Sequence, residues 1–296
     1  MLLNFRFRTA LLAATLLTLS ACGIQNSNQN SSGILEGIIG GQPVAPNDPM
    51  AKGIVALYDV QAKALCTASI ASPTYLITAA HCVTPGKTAN LRVIFGTDLT
   101  QKAGIVSVAA VAAVAQSPIW KTNQNNPKET GDIAIVRLAA PIPQGFLPST
   151  ILRDASLIQN NAAVLLEGYG ITTGHPDPKS PNDSGAGVLR EVVTSIVDAH
   201  FDPSEVLIDN SKGKGACHGD SGGPAYVKDP QGNVFLFGVT SRGTDKFCSQ
   251  GVIYTNILAY LTWITGAVPQ LEAQVRAAVG VMMPHLAFGF DFNNPM

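Results

Sequence analysis

The chain has 296 residues, enough for one large or two medium domains. Of these, 46% are apolar and only 13% are charged, which excludes a disordered polyelectrolyte and fits a folded, exported chain. The net charge is −1 and the Lys and Arg residues are scattered, so nothing suggests a nucleic-acid surface.

In chain order, the first element is a leader. Arg6 and Arg8 precede an apolar run from Leu11 to Leu19, followed by small residues. The run is too short to span a bilayer, so it reads as a secretory signal over 1–21. No other run is long enough to span a membrane. Leu19-Ser20-Ala21-Cys22 resembles the lipobox of bacterial lipoproteins, in which the cysteine is acylated and becomes the mature N-terminus. The alternative is ordinary cleavage near Ala21 or Gly23. Residues 22–37 are rich in Asn, Gln and Ser and are expected to form a flexible tether or propeptide. Strand-like runs then dominate, among them Ile54-Val-Ala-Leu-Tyr, Leu91-Arg-Val-Ile-Phe and Val234-Phe-Leu-Phe-Gly-Val. Gly and Pro punctuate them at short intervals, which predicts an all-β fold. Residues 172–187 read as a long polar loop, and 256–265 have helical apolar spacing. In the extension 267–296, residues 270–279 have the composition of a short helix. Phe288, Phe290 and Phe292 alternate as in a strand or docking segment, best read as packing against the body.

Five cysteines are present: Cys22, Cys66, Cys82, Cys217 and Cys248. Export into an oxidising compartment favours disulfides, and an odd count leaves one over. Lipidation of Cys22 removes the oddity. The remaining four allow three pairings, of which Cys66–Cys82 with Cys217–Cys248 is the local one.

Four motifs stand in order: Ile38-Ile39-Gly40-Gly41, Leu76-Ile77-Thr78-Ala79-Ala80-His81-Cys82, Gly131-Asp132-Ile133-Ala134-Ile135, and Cys217-His218-Gly219-Asp220-Ser221-Gly222-Gly223-Pro224. With them the chain resembles the chymotrypsin-like serine proteases over about 38–266. A serine hydroxyl is a weak nucleophile at its free pKa, and needs an adjacent base that a third group holds in place. The resemblance implies Ser221 as nucleophile, His81 as general base and Asp132 as the group that orients it. It implies an oxyanion hole from the backbone N–H groups of Gly219 and Ser221. The local cysteine pairing is also the family's. Taken singly, each triad residue has an ordinary structural reading. Asp59 and Asp98 lack the Gly-Asp-Ile-Ala context of Asp132, and His175, His200, His218 and His285 lack that of His81. Gly219-x-Ser221-x-Gly223 also satisfies the α/β-hydrolase nucleophile elbow, but that fold needs a histidine after the serine, and only His285 in the Pro-containing tail follows.

The resemblance further implies two antiparallel β-barrels, about 38–148 and 149–256, with a C-terminal helix over 256–265 and the site in the cleft between barrels. It places the flexible autolysis loop at 172–187. It implies an activation pair, in which cleavage between Gly37 and Ile38 frees an α-amino group to meet Asp220. The substrate pocket falls on Gly215, Ala216, His218, Ser241, Arg242, Gly243 and Val252. Gly215 stands where trypsins carry Asp, Arg242 where an aromatic is usual, and Val252 where Gly is usual. These departures predict cleavage after small or medium apolar residues. The runner-up is an acidic residue held by His218, Arg242 and Lys246. The expected protein is a monomeric endopeptidase acting on proteins or peptides, with no cofactor, metal or nucleic acid. It would be exported, as a periplasmic or outer-membrane lipoprotein precursor or a protein secreted after activation. The alternative is a catalytically inactive homologue used for binding, although no triad residue is missing.

Overall fold

The computed structural model describes residues 38–123, 125–174 and 185–279. The leader, the tether with Cys22, most of the polar loop with His175, and the tail with His285 and its three phenylalanines therefore lie outside the described residues.

A short strand β1 (Gln42–Pro43) is followed by β2 (Ile54–Asp59), β3 (Ala64–Ser72), β4 (Tyr75–Thr78), β5 (Leu91–Gly96), β6 (Ile105–Gln116) and β7 (Ala134–Leu138). Strands β2 to β7 close a barrel in the order β2-β3-β4-β7-β6-β5, all antiparallel. The second half supplies β8 (Ala163–Gly168), β9 (Arg190–Asp202), β10 (Glu205–Asp209), β11 (Pro224–Lys228), β12 (Val234–Gly243) and β13 (Gly251–Asn256). Their order is β9-β10-β13-β12-β11-β8. The β8–β9 pairing closes this ring too, with β1 added alongside β9. The fold is thus two closed six-stranded antiparallel barrels. Closure removes the exposed sheet edges that would otherwise template aggregation.

Inward-facing β-branched and aromatic residues fill each barrel. Val55, Ile70, Val93, Phe95 and Val136 belong to the first core, and Val164, Ile208, Phe237 and Tyr254 to the second. A third cluster joins Ile54, Ile77, Tyr169, Leu189 and Tyr226, side chains drawn from both halves. These buried side chains each contribute roughly 1.5–3 kcal/mol.

The C-terminal helix departs from the expected 256–265. A 3-10 turn, Ile257–Tyr260, leads into one long helix, Leu261–Val279, which joins the two helical segments anticipated separately. Gly266 and Pro269 are both poor helix formers. The apolar period runs straight through them, however: Ile257, Tyr260, Ile264, Ala267 and Leu271 are all buried in the cluster shared by both barrels. Such an apolar stripe outweighs the cost of one proline. Glu272 on this helix accepts hydrogen bonds from Tyr75 Oη (2.6 Å) and Arg137 Nε (2.7 Å), tying the helix to β4 and β7. No helix among the described residues is long and apolar enough to cross a membrane.

Candidate active site

His81 sits on a single 3-10 turn, Ala80–Cys82, at the end of β4. Asp132 occupies the segment that enters β7, and Ser221 the turn between β10 and β11. The three come from distant parts of the chain and all line one cavity of about 520 Å³.

The His81–Asp132 pair is tightly built. Asp132 Oδ2 lies 2.7 Å from His81 Nδ1, and Oδ1 accepts the His81 backbone N–H at 3.0 Å. The aspartate side chain is 3% exposed and the histidine 33%, so the carboxylate is buried while the ring reaches the cleft. Ser241 Oγ donates to Asp132 Oδ2 at 2.7 Å, and Thr255 Oγ1 donates to the Asp132 backbone carbonyl at 3.0 Å. A carboxylate so held favours the tautomer with Nδ1 protonated and Nε2 free to accept. No hydrogen bond joins Ser221 Oγ to His81 among the described residues. Such contacts are often long without substrate and tighten when it binds.

The turn around Ser221 is fixed from several directions. Thr67 N–H donates to Ser221 O (2.8 Å), Thr67 Oγ1 donates to Gly219 O (3.0 Å), and Gly223 N–H donates to Asp220 O (2.8 Å). Neither Gly219 N–H nor Ser221 N–H finds an acceptor among the described residues. Gly219 has φ +96°, and a Cβ there would come within 2.8 Å of Gly170 Cα, so both conformation and space call for glycine.

Asp220 is fully buried behind this turn. It accepts from Gly170 N–H and Cys217 N–H, each at 2.8 Å. Burial pushes its carboxyl up to about 7, against the opposing pull of those two amides and of the Arg190 charge. Ile38, the other half of the expected activation pair, is also fully buried, in the second barrel's core. Next to it, Gly215 N–H donates to Ile39 O at 3.0 Å.

The disulfides pair Cys66 with Cys82 and Cys217 with Cys248, bracing the turns that carry His81 and Ser221. Their sulfurs lie near His81 and His218, but bridged sulfurs offer no thiolate to a metal.

Of the expected pocket residues, Ala216, His218, Ser241, Arg242, Gly243 and Val252 line the cavity, whereas Gly215 does not. A Cβ on Gly215 would fall 1.7 Å from Asn210 Oδ1. The buried Asn210 fills that space, and its amide donates to Ala216 O (2.8 Å) and Cys248 O (3.2 Å). Lys246 is not among the lining residues either; its ammonium lies 4.6 Å from the centre of the Phe247 ring. Arg242 is engaged by a buried acid, Glu205, through a forked pair at 2.8 and 2.7 Å. Burial pushes the Glu205 carboxyl up, but the Arg242 guanidinium and the Thr130 donors outweigh this and hold it below the usual range. Of the three cations invoked for an acidic substrate, Arg242 is thus paired with a buried acid and Lys246 lies off the cavity lining. His218 is left as an exposed side chain on the cavity.

Sequence reasoning missed Glu205, Asn210, Trp120 and Asp245. Trp120 and Asp245 line the cavity, and the Trp120 ring lies 6.4 Å from that of His81. None of the four sits in a motif; only the long-range contacts reveal them. Asp59 and Asp98, the rival carboxylates, cap local turns at Gln61, Ala62 and Thr100.

Comparison with known proteins agrees with this architecture. A trypsin family profile matches residues 38–264. Chymotrypsin-like elastase family member 1 of Canis lupus familiaris is 27% identical, covering 69% of this chain and 81% of its own length. Brachyurin of Leptuca pugilator is 28% identical over 78% of this chain and its full length. Chymotrypsin-C of Mus musculus is 28% identical over 86% of this chain and 96% of its own. The chain therefore belongs to the trypsin family of serine endopeptidases.

Proposed function

We propose that this endopeptidase cleaves peptide bonds through an acyl-enzyme on Ser221, with His81 and Asp132 completing the triad. The observation that carries the reading is the 2.7 Å His81–Asp132 contact on the cavity that Ser221 also lines. Ser221 Oγ attacks the scissile carbonyl as His81 Nε2 takes its proton, and the imidazolium then protonates the leaving amine. Water repeats the sequence in reverse to release the acid. The buried Asp132 carboxylate stabilises the imidazolium and fixes its tautomer. The unengaged amides of Gly219 and Ser221 stabilise the tetrahedral oxyanion.

The substrate preference is for small or medium apolar residues before the scissile bond. Support comes from Val252, which lines the cavity with its branched side chain, and from Asn210, which occupies the space behind Gly215. The pairing of Arg242 with Glu205 weighs against an acidic preference.

The chain is made as an exported zymogen, anchored through lipid on Cys22 and activated by cleavage between Gly37 and Ile38. Burial disfavours the charged form of Asp220 despite the Arg190 charge, and a new ammonium at Ile38 would stabilise it. The bond to be cut follows glycine, so a trypsin does not cut it, and slow self-activation fits the apolar preference. No disulfide holds 22–37 to the body, because the four other cysteines pair among themselves, so activation frees the catalytic domain from the membrane. N-terminal sequencing of the exported protein, with a peptide library alongside, tests this reading. Ile38 as the soluble N-terminus and cleavage after Ala or Val are expected. Cleavage confined to Lys or Arg, or active enzyme starting at Ile38 yet still on membranes, would contradict it.

A further inference from the structure

Arg242 stands on the cavity wall at the end of β12, with 25% of its side chain exposed. Its counterion is behind the wall. Glu205, the first residue of β10, has a side chain that is 0% exposed and does not line the cavity. The two meet as parallel forks, Nη1 to Oε1 at 2.8 Å and Nη2 to Oε2 at 2.7 Å. Glu205 Oε1 also accepts from Thr130 N–H (3.1 Å) and Thr130 Oγ1 (3.0 Å). Arg242 Nη2 donates to Pro127 O at 2.7 Å, and Nη1 makes longer contacts of 3.3 Å with Thr130 Oγ1 and Ser241 Oγ.

A planar guanidinium matched to a carboxylate by two parallel hydrogen bonds is the strongest form of this pair. The carboxylate is out of reach of water, so releasing it to let Arg242 meet another anion would strand a buried charge. From the cavity, the positive charge is already cancelled. The guanidinium is also tethered to the segment that leads into Asp132, so it cannot swing toward a ligand without disturbing Thr130 and Pro127.

We infer that Glu205 is a specificity-determining residue. It holds Arg242 as an electrically neutral wall, so that the cleft accepts uncharged rather than acidic side chains beside the scissile bond. This rests on the proteolytic reading above.

The test uses the full chain and its Glu205→Gln variant. Glutamine keeps the shape but leaves the Arg242 charge unmatched. Paired peptides carry Glu or Gln at each of the residues on the acyl side of the cleaved bond. The ratio of kcat/KM for Glu over Gln should rise at one position by at least about tenfold in E205Q, equivalent to about 1.4 kcal/mol. It should return to the wild-type ratio when Arg242→Gln is added. A merely structural role for Glu205 would lower both rates together and leave the ratio unmoved. A wild-type measurement stands independently of how the variant folds. Between about 0.01 M and about 1 M salt the screening length falls from about 30 Å to about 3 Å. With Arg242 neutralised, raising the salt should not lower the ratio, and screening of Asp245 on the same cavity can only raise it. A wild type that favours Glu at low salt and loses that preference at high salt, or an unchanged ratio in folded E205Q, overturns the inference. If the wild type cleaves the neutral peptides while the ratio fails to move, the inference alone falls; if it cleaves none of them, the proteolytic reading falls and takes the inference with it.

Discussion

Asp220 makes the uncut chain sensitive to pH in a calculable way. Its carboxyl is fully buried, and burial raises it from 3.8 to about 7. The unfolded chain releases this proton near 3.8, whereas the folded chain keeps it until about 7. Over that window the native state binds more protons than the unfolded state, so unfolding free energy falls as pH rises. The loss begins near pH 4, is complete above pH 7, and amounts to roughly 4 kcal/mol at 1.36 kcal/mol per pH unit. Glu167 complicates the raw curve. It is buried without a hydrogen-bond partner among the described residues, and its carboxyl is also raised, first by burial and then by Glu191 and Asp48. Asp220→Asn isolates the first group. Urea unfolding of both proteins at pH 4 and pH 8, followed by fluorescence, gives the difference of differences. Wild type should lose roughly 4 kcal/mol more than the variant across that range in the uncut form. If the proposed activation holds, cleavage before Ile38 should abolish or reverse that excess, because the new ammonium would stabilise the charged carboxylate. Parallel pH curves for uncut wild type and variant would refute the reasoning.

Two further outcomes follow from packing. Gly215→Asp should not produce cleavage after Lys or Arg, because the new side chain collides with the Asn210 amide 1.7 Å from the Cβ position. It should lower the melting temperature by roughly 4–8 °C, about 2 kcal/mol, with Asn210→Gly as the rescuing partner. A stable G215D enzyme with tryptic specificity would count against the pocket described. Glu272→Ala leaves Tyr75 Oη and Arg137 Nε without their shared acceptor. A loss of about 1–3 kcal/mol is expected in denaturant titration, with peptide hydrolysis retained, since Glu272 lies outside the cleft.

The barrels were legible because their strands carry local signals. Ile54-Val-Ala-Leu-Tyr, Leu91-Arg-Val-Ile-Phe and Val234-Phe-Leu-Phe-Gly-Val are β-branched and aromatic runs, and they form β2, β5 and most of β12. The helix was half legible. Its start shows the right spacing, but Gly266 and Pro269 hid a continuation that only tertiary burial of Ala267 and Leu271 sustains. At the site, short motifs surround His81, Asp132 and Ser221, and a motif can be read from one stretch of chain. Glu205 and Asn210 have no such surroundings. Glu205 acts on Arg242, 37 positions away, and Asn210 fills the space beside Gly215 through a fold in the backbone. Charge and shape complementarity of that kind is set by packing, so the sequence gives the cation at 242 without its counterion.

The central claim is that Ser221 is activated by the His81–Asp132 pair. A fluorophosphonate probe applied to the chain cleaved before Ile38, with mass-spectrometric mapping of the adduct, tests it most directly. One adduct is expected, on Ser221, lost in Ser221→Ala and formed roughly 10⁴-fold or more slowly in His81→Ala. A correctly folded, cleaved protein that stays unlabelled, or one labelled equally fast without His81, would contradict it.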